Sequence, residues 1–183
     1  MAQITEDLIQ SSVVSSTGVT DWANTTASDD SKASFATVSN GNGNVIFELT
    51  NLSQTPTSII SAQIIHESTA DASATAVIQS EMLNSSNTQI NTEFTSFSGT
   101  SDSVKSLTTY TSNALTSAAF TENDINTLRV KFTYITESGT AGDALVDHVY
   151  VRVIYNVPDP VGGLIKLNSG LVKLNSGLTK IIA

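Results

Sequence analysis

The chain has 183 residues, 39% of them hydrophobic and only 14% charged, with no cysteine. That is enough chain for one substantial domain with an appendage, and it excludes disulfides and cysteine-based metal sites. The formal net charge of -9 is unevenly laid out: residues 1–160 carry all 17 acidic residues, while residues 161–183 carry Lys166, Lys173 and Lys180 and no acid.

An acidic body repels phosphate and argues against nucleic-acid binding. Ser, Thr and Asn supply most of the polarity. They compete with helical backbone hydrogen bonds and suit sheet faces and turns. The first ten residues have neither the basic region nor the apolar run of a secretory signal. No stretch reaches the apolar length of a membrane-spanning helix. The expectation is a protein made in the cytoplasm, without a membrane partner.

Residues 1–20 read as an N-terminal arm or a first strand, with Leu8-Ile9 and Val13-Val14 as apolar runs. Trp22 follows, then a loop over 24–34. Ser39 to Asn44 is a turn signal, because Gly and Asn tolerate positive φ. Val45, Phe47 and Leu49 share one face of a strand. Ser58 to Ile65 is apolar at Ile59, Ile60, Ile64 and Ile65 and reads as a central strand covered from both sides. Residues 68–75 read as a loop of small residues, Ala76 to Leu83 as a strand or a short helix with the strand favoured, and Val104 to Tyr110 as a strand; Gln89 to Phe97 carries Ile90, Phe94 and Phe97 at less regular spacing. Residues 116–127 form a loop with one helical turn around Glu122 to Ile125, opened by Thr121 and Asp124 at capping-box spacing.

Two strong strands close the body. Leu128, Val130, Phe132 and Tyr134 face inward on the first. On the second, Val149, Val151, Val153 and Tyr155 face inward, while His148, Tyr150, Arg152 and Ile154 face outward. Glu137 to Asp143, with two glycines, reads as a hairpin connection, so these two strands are expected to pair antiparallel. Pro158 and Pro160 end the body, because proline cannot donate to a ladder. The fold class is all-β: an antiparallel β-sandwich over 21–157, with the jelly roll as the expected topology, followed by an extended C-terminal repeat tail over 158–183.

His66 and His148 are the two histidines. His66-Glu67 lacks the second histidine of a zinc-protease helix. His148 and Asp147 are adjacent on a strand and point to opposite faces, so His148 reads as a structural histidine. Asp147 is expected to bond backbone near the strand start. Asp29-Asp30 and Asp143 with Asp147 offer oxygen ligands but no EF-hand spacing, so they read as turn carboxylates. There is no Gly-x-Ser-x-Gly elbow and no Walker-type loop. The expectation is a non-enzymatic protein without cofactor or metal.

Four motifs together resemble a family of all-β proteins of phage and prophage structural genes. They are Trp22, the loop Ser28-Asp29-Asp30-Ser31-Lys32-Ala33, Asp124-Ile125-Asn126, and the closing Val146-Asp147-His148-Val149-Tyr150-Val151-Arg152-Val153-Ile154-Tyr155. The resemblance covers roughly residues 20–156 and implies a jelly-roll-like sandwich on a virion surface, as capsid decoration, head fibre or tail-associated module. It implies no catalytic residue.

The tail lies outside the resemblance and repeats every seven residues: Leu164 to Gly170, Leu171 to Gly177, and a third copy from Leu178. Leu164, Leu167, Leu171, Leu174, Leu178 and Ile181 fall at the a/d spacing of a coiled coil. The Asn-Ser-Gly that closes each of the first two copies opposes helix, by about 2 kcal/mol relative to alanine, and favours a strand–turn repeat of Leu-x-Lys-Leu and a turn. These residues, with Lys166, Lys173 and Lys180, are the expected contact set for partners: own copies, a trimer above all, and a capsid or other virion protein. Recognition of a host glycan by a tail-fibre module is the alternative function, for which Trp22 and Tyr150 are the candidate stacking rings.

Overall fold

The computed structural model describes residues 1–27, 31–35, 37–38, 41–70, 75–98, 103–135, 144–159, 164–167 and 170–173. The body is built from β1 (Ala2–Thr17), β2 (Asn44–Leu49), β3 (Ser58–Ala70), β4 (Thr75–Leu83), β5 (Gln89–Ser98), β6 (Ser103–Ser106), β7 (Arg129–Ile135) and β8 (Ala144–Val157). They pair as a nested set, first with last: β1 with β8, β2 with β7, β3 with β6, and β4 with β5, all antiparallel. Lateral pairing of β8 with β3 and of β7 with β4 then makes two sheets, ordered β6-β3-β8-β1 and β1-β2-β7-β4-β5. Four nested pairs wound into two facing sheets are the jelly roll.

β1 belongs to both sheets. Ala2 to Ile9 lie along β8, and Gln10 to Thr17 lie along β2, with register shifts between Gln10 and Ser12 and between Val13 and Ser15. Extra residues in one strand bend it and raise its twist, and this is how a strand turns a sandwich corner. Where β1 leaves β8, other segments take its place. Thr26, just after the 3₁₀ turn Trp22–Thr25, bridges His148, and the short strand Ala33–Phe35 pairs with Ala144 to Val146. The segment expected to be a loop over 24–34 therefore holds the end of a 3₁₀ turn and the start of a strand.

The core lies between the sheets. β8 contributes Val149, Val151, Val153 and Tyr155, all fully buried, and they face Val45, Phe47, Val130 and Phe132 in the same hydrophobic cluster. Phe132 packs edge-on against Phe47, centroids 6.2 Å apart, and against His66, 5.4 Å away. His66 stands on β3 and Phe132 on β7, so that contact joins the two sheets. Edge-to-face geometry sets the positive rim of one ring against the negative face of the other.

Three features differ from those expected. The two closing strands, β7 and β8, are not a hairpin pair: β7 pairs with β2 and β4, β8 with β1 and β3. Each buries one face against the same core from opposite sides, and alternation looks the same for a strand beside its partner and one across from it. Second, Ser68 to Ala70 are strand, not loop, and are buried at 0%, 2% and 1% exposure. Small side chains suit a tightly covered strand end as well as they suit a turn. Third, the strand expected over Val104 to Tyr110 is shorter, Ser103–Ser106, with Tyr110 returning to bridge Ala62.

The expected faces of β2, β7 and β8 match the burial found, and β8 ends at Val157, before Pro158.

Candidate functional site

Leu164–Leu167 (β9) and Gly170–Lys173 (β10) form an antiparallel hairpin, with Leu164 opposite Lys173, Ile165 opposite Val172, Lys166 opposite Leu171 and Leu167 opposite Gly170. Leu164–Leu167 and Gly170–Lys173 are thus extended rather than helical; Asn168 and Ser169 of the expected turn lie outside the described residues. Leu164, Lys166, Leu167, Leu171 and Lys173 stand on these strands; Leu174, Leu178, Lys180 and Ile181 lie outside the described residues.

The outer face of the β8 sheet carries a ridge. His148, Tyr150 and Arg152 follow at period two. The His148 ring lies 4.9 Å from the Tyr150 ring, and the Arg152 guanidinium carbon 5.5 Å from its centroid. Arg152 is fixed from β1 by a two-pronged bond, Nε and Nη2 each 2.8 Å from the Asp7 carboxylate. That bond raises the Arg152 pKa above its ordinary value, and its fork geometry adds direction to charge. His148 and Arg152 sit two residues to either side of Tyr150 along the strand, and both contact its ring. Exposed Ile9 stands directly opposite Tyr150, and Val104, 62% exposed, stands opposite Glu67, which itself pairs with His148. Trp22, the other candidate stacking ring, packs against the core. Asp147 is buried at the bulge of β8 where the register shifts between Val146 and His148, while His148 lies half-exposed on the outer face. Among the described residues no cluster of three metal-capable side chains occurs; Asp29, Asp30 and Asp143 lie outside them.

A cleft of about 310 Å³ opens at the rim of the other sheet, between the β1 bulge, the end of β2, the turn after β4 and the start of β7. Leu49 and Leu128, both buried, form its apolar part; Glu48 and Arg129 form its polar part. Arg129 is held by three bonds: Nη1 donates to Ser85 O (2.8 Å) and Asn87 Oδ1 (2.9 Å), and Nη2 donates to Glu48 Oε1 (2.8 Å). Glu48 also accepts from Ser12 Oγ at 2.8 Å. The bonds from Ser12 and then Arg129 hold the Glu48 carboxyl below its ordinary pKa.

The short helix α1 (Glu122–Asn126) forms the far wall. The Thr121 hydroxyl accepts from Asp124 N (3.1 Å), and Asp124 Oδ2 accepts from Thr121 N (2.8 Å), the capping box expected from the spacing. Asn126 Oδ1 then accepts from Leu52 N at 2.9 Å and ties the helix to the segment after β2. Replacing Thr121 by alanine is expected to cost about 1 kcal/mol, read as a lower urea midpoint at unchanged slope.

No signal in the sequence marked this cleft: Ser11, Glu48, Ser85 and the stretch from Asn126 to Arg129 come from four separate segments, and only folding brings them together.

No family model and no curated protein matches the chain. Among solved structures, it is similar to a carbohydrate-binding module, CBM36, in complex with calcium and xylotriose: 12% identity, 82% of this chain and 98% of that one, TM-score 0.42. It is similar to the CBM36-1 domain of a multidomain xylanase from the hindgut metagenome of Trinervitermes trinervoides: 8% identity, 83% and 96%, TM-score 0.39. A third is the enzymatically active domain of tailspike protein 4 of bacteriophage CBA120: 9% identity, 82% of this chain and 19% of that one, TM-score 0.40. Likeness at this level carries no ligand, metal or activity to this chain, and the jelly roll rests on the strand order itself.

Proposed function

We propose that this chain is a non-enzymatic structural protein of a phage virion surface, a capsid decoration or head-fibre module whose C-terminal repeat ties it to its own copies, as a trimer, or to the shell. The observation that carries this reading is the β9–β10 hairpin formed by the repeat beyond the closed body. An isolated two-stranded hairpin is marginal in water, and three or more strands or a packing partner are needed to hold one. A leucine-rich strand–turn repeat therefore calls for neighbouring strands, and symmetric copies supply them while multiplying weak single contacts. Charge supports the same arrangement: the repeat is basic and the body strongly acidic. Exposed ion pairs contribute only ~0–1 kcal/mol each, so leucine burial has to dominate.

The ridge on the β8 sheet supports docking by a protein surface. Tyr and Arg beside exposed Ile9 and Val104 is the composition that dominates interface cores. The motifs shared with phage structural proteins support the virion setting.

Light scattering on the full chain and on a version ending at Asp159 tests the proposal. The full chain is expected at three times the monomer mass and the shortened one at the monomer mass. Equal masses would remove the tail as the device that holds copies together, and failure of the full chain to bind purified capsids would then remove the shell as its anchor.

A further inference from the structure

We propose that the rim cleft binds one sugar unit of a neutral saccharide. This goes beyond the assembly reading and stands or falls separately from it.

Glu48 and Arg129 are the ionic pair of the cleft and are bonded to each other at 2.8 Å. The guanidinium is further spent on Ser85 O and Asn87 Oδ1, and the carboxylate on Ser12. A phosphate or carboxylate ligand would have to take Arg129 from those partners, and a cation would have to take Glu48. What remains is hydrogen-bonding capacity without net charge. Each carboxylate oxygen has lone pairs beyond the one bond it accepts, and the Glu48 side chain is 44% exposed. Ser11, Asn51 and Ser85 are exposed around the mouth. Such a set suits vicinal hydroxyls, which donate and accept at once.

Shape agrees. Leu49 and Leu128 give a small apolar floor for the C–H face of a ring. The volume, about 310 Å³, is at the lower end of the range that ligand sites occupy. That suits a single ring rather than a peptide or a nucleotide.

Rigidity agrees too. Arg129, Glu48 and Asn126 are each held from a separate segment, so little side-chain freedom is lost when a ligand arrives. Ser11 opens into the cleft because it is the extra residue of the β1 bulge, between Gln10 opposite Leu49 and Ser12 opposite Glu48. Bulges re-aim a side chain beside a site.

The test is a ¹H–¹⁵N NMR titration of the full chain with glucose, galactose, mannose, N-acetylglucosamine and galacturonate. At least one neutral sugar is expected to shift the amides of Leu49, Asn51, Ser85 and Arg129, with a Kd of order millimolar. Asn51→Ala should weaken that binding about tenfold, and Ser85→Trp, which fills the mouth, should abolish it, both leaving the rest of the spectrum in place. The proposal is overturned if no neutral sugar moves those amides, or if the shifts map elsewhere or survive Ser85→Trp. Binding of galacturonate alone would overturn the assignment to neutral ligands.

Discussion

A chain that begins at Asp21 is expected not to fold. Residues 1–20 read in the sequence as an arm or a first strand, with the sandwich drawn from residue 21. In the structure β1 lies between β8 and β2 in the strand order and is the only direct link between the two sheets in it, among the described residues. Removing it leaves β8 and β2 as raw edges, with their ladder groups unpaired. It also uncovers the cluster in which Leu8 is fully buried and against which Ile4 and Val13 pack. Losing a buried leucine side chain alone costs about 2–5 kcal/mol, against a total of roughly 5–15 kcal/mol for a folded domain. Two lost ladders exhaust what is left. The expected result is loss of the cooperative thermal transition and of the near-ultraviolet dichroism. A sharp melt within a few degrees of the parent would show that β1 is an ornament of the fold.

β1 also shows why some of the fold was legible in the sequence and some was not. β2, β7 and β8 each keep one face on the core along their length, so apolar residues recur at period two and the strand announces itself. β1 changes sheets midway. Its bulges reset the alternation between Gln10 and Ser12 and again between Val13 and Ser15, so the period breaks where the strand matters most. β3 hides in a similar way. A register shift between the positions opposite Ile154 and Tyr155 leaves Ile60 as the extra residue, and its far end is made of Ser68, Thr69 and Ala70, whose burial no hydrophobicity pattern reveals.

Partner choice was the least legible. Short connections favour hairpins, and that prior joined β7 to β8. The nested pairing of a jelly roll instead makes these neighbours in sequence cross between sheets. The alternation of a strand records which face is buried and not which strand lies beside it. The sites follow the same division. The ridge of His148, Tyr150 and Arg152 was visible because it lies on one strand at one parity. The clasp by Asp7, 145 residues away, was not. The cap of α1 was legible because Thr121 and Asp124 are three residues apart; the cleft that the helix helps to close was not, because its polar groups meet only through tertiary contacts.

Acid is expected to destabilise this protein through His66. The ring is fully buried on β3, its Nδ1 3.1 Å from Ser68 Oγ and in a T-shaped contact with Phe132. Its Nε2 is buried without a hydrogen-bond partner. Burial first, and the nearby Lys105 charge second, push its pKa down from 6.5 to about 3. In the unfolded chain the same ring takes a proton near pH 6.5. Between those values the unfolded state therefore binds more protons than the folded one, and stability falls as the pH falls. The contribution is fully present above about pH 7 and declines steadily below it. From pH 8 to pH 5 it amounts to about 2 kcal/mol, in a window where most carboxylates have not yet titrated. Urea denaturation at steps across that range measures it. His66→Leu keeps the side-chain volume and removes the titration, so its stability should change less between pH 8 and pH 5 than that of the parent, by the same about 2 kcal/mol. Parallel curves for the two proteins would mean that the folded state accepts the proton at His66 near the ordinary pH. The contact that joins the two sheets would then be open to water.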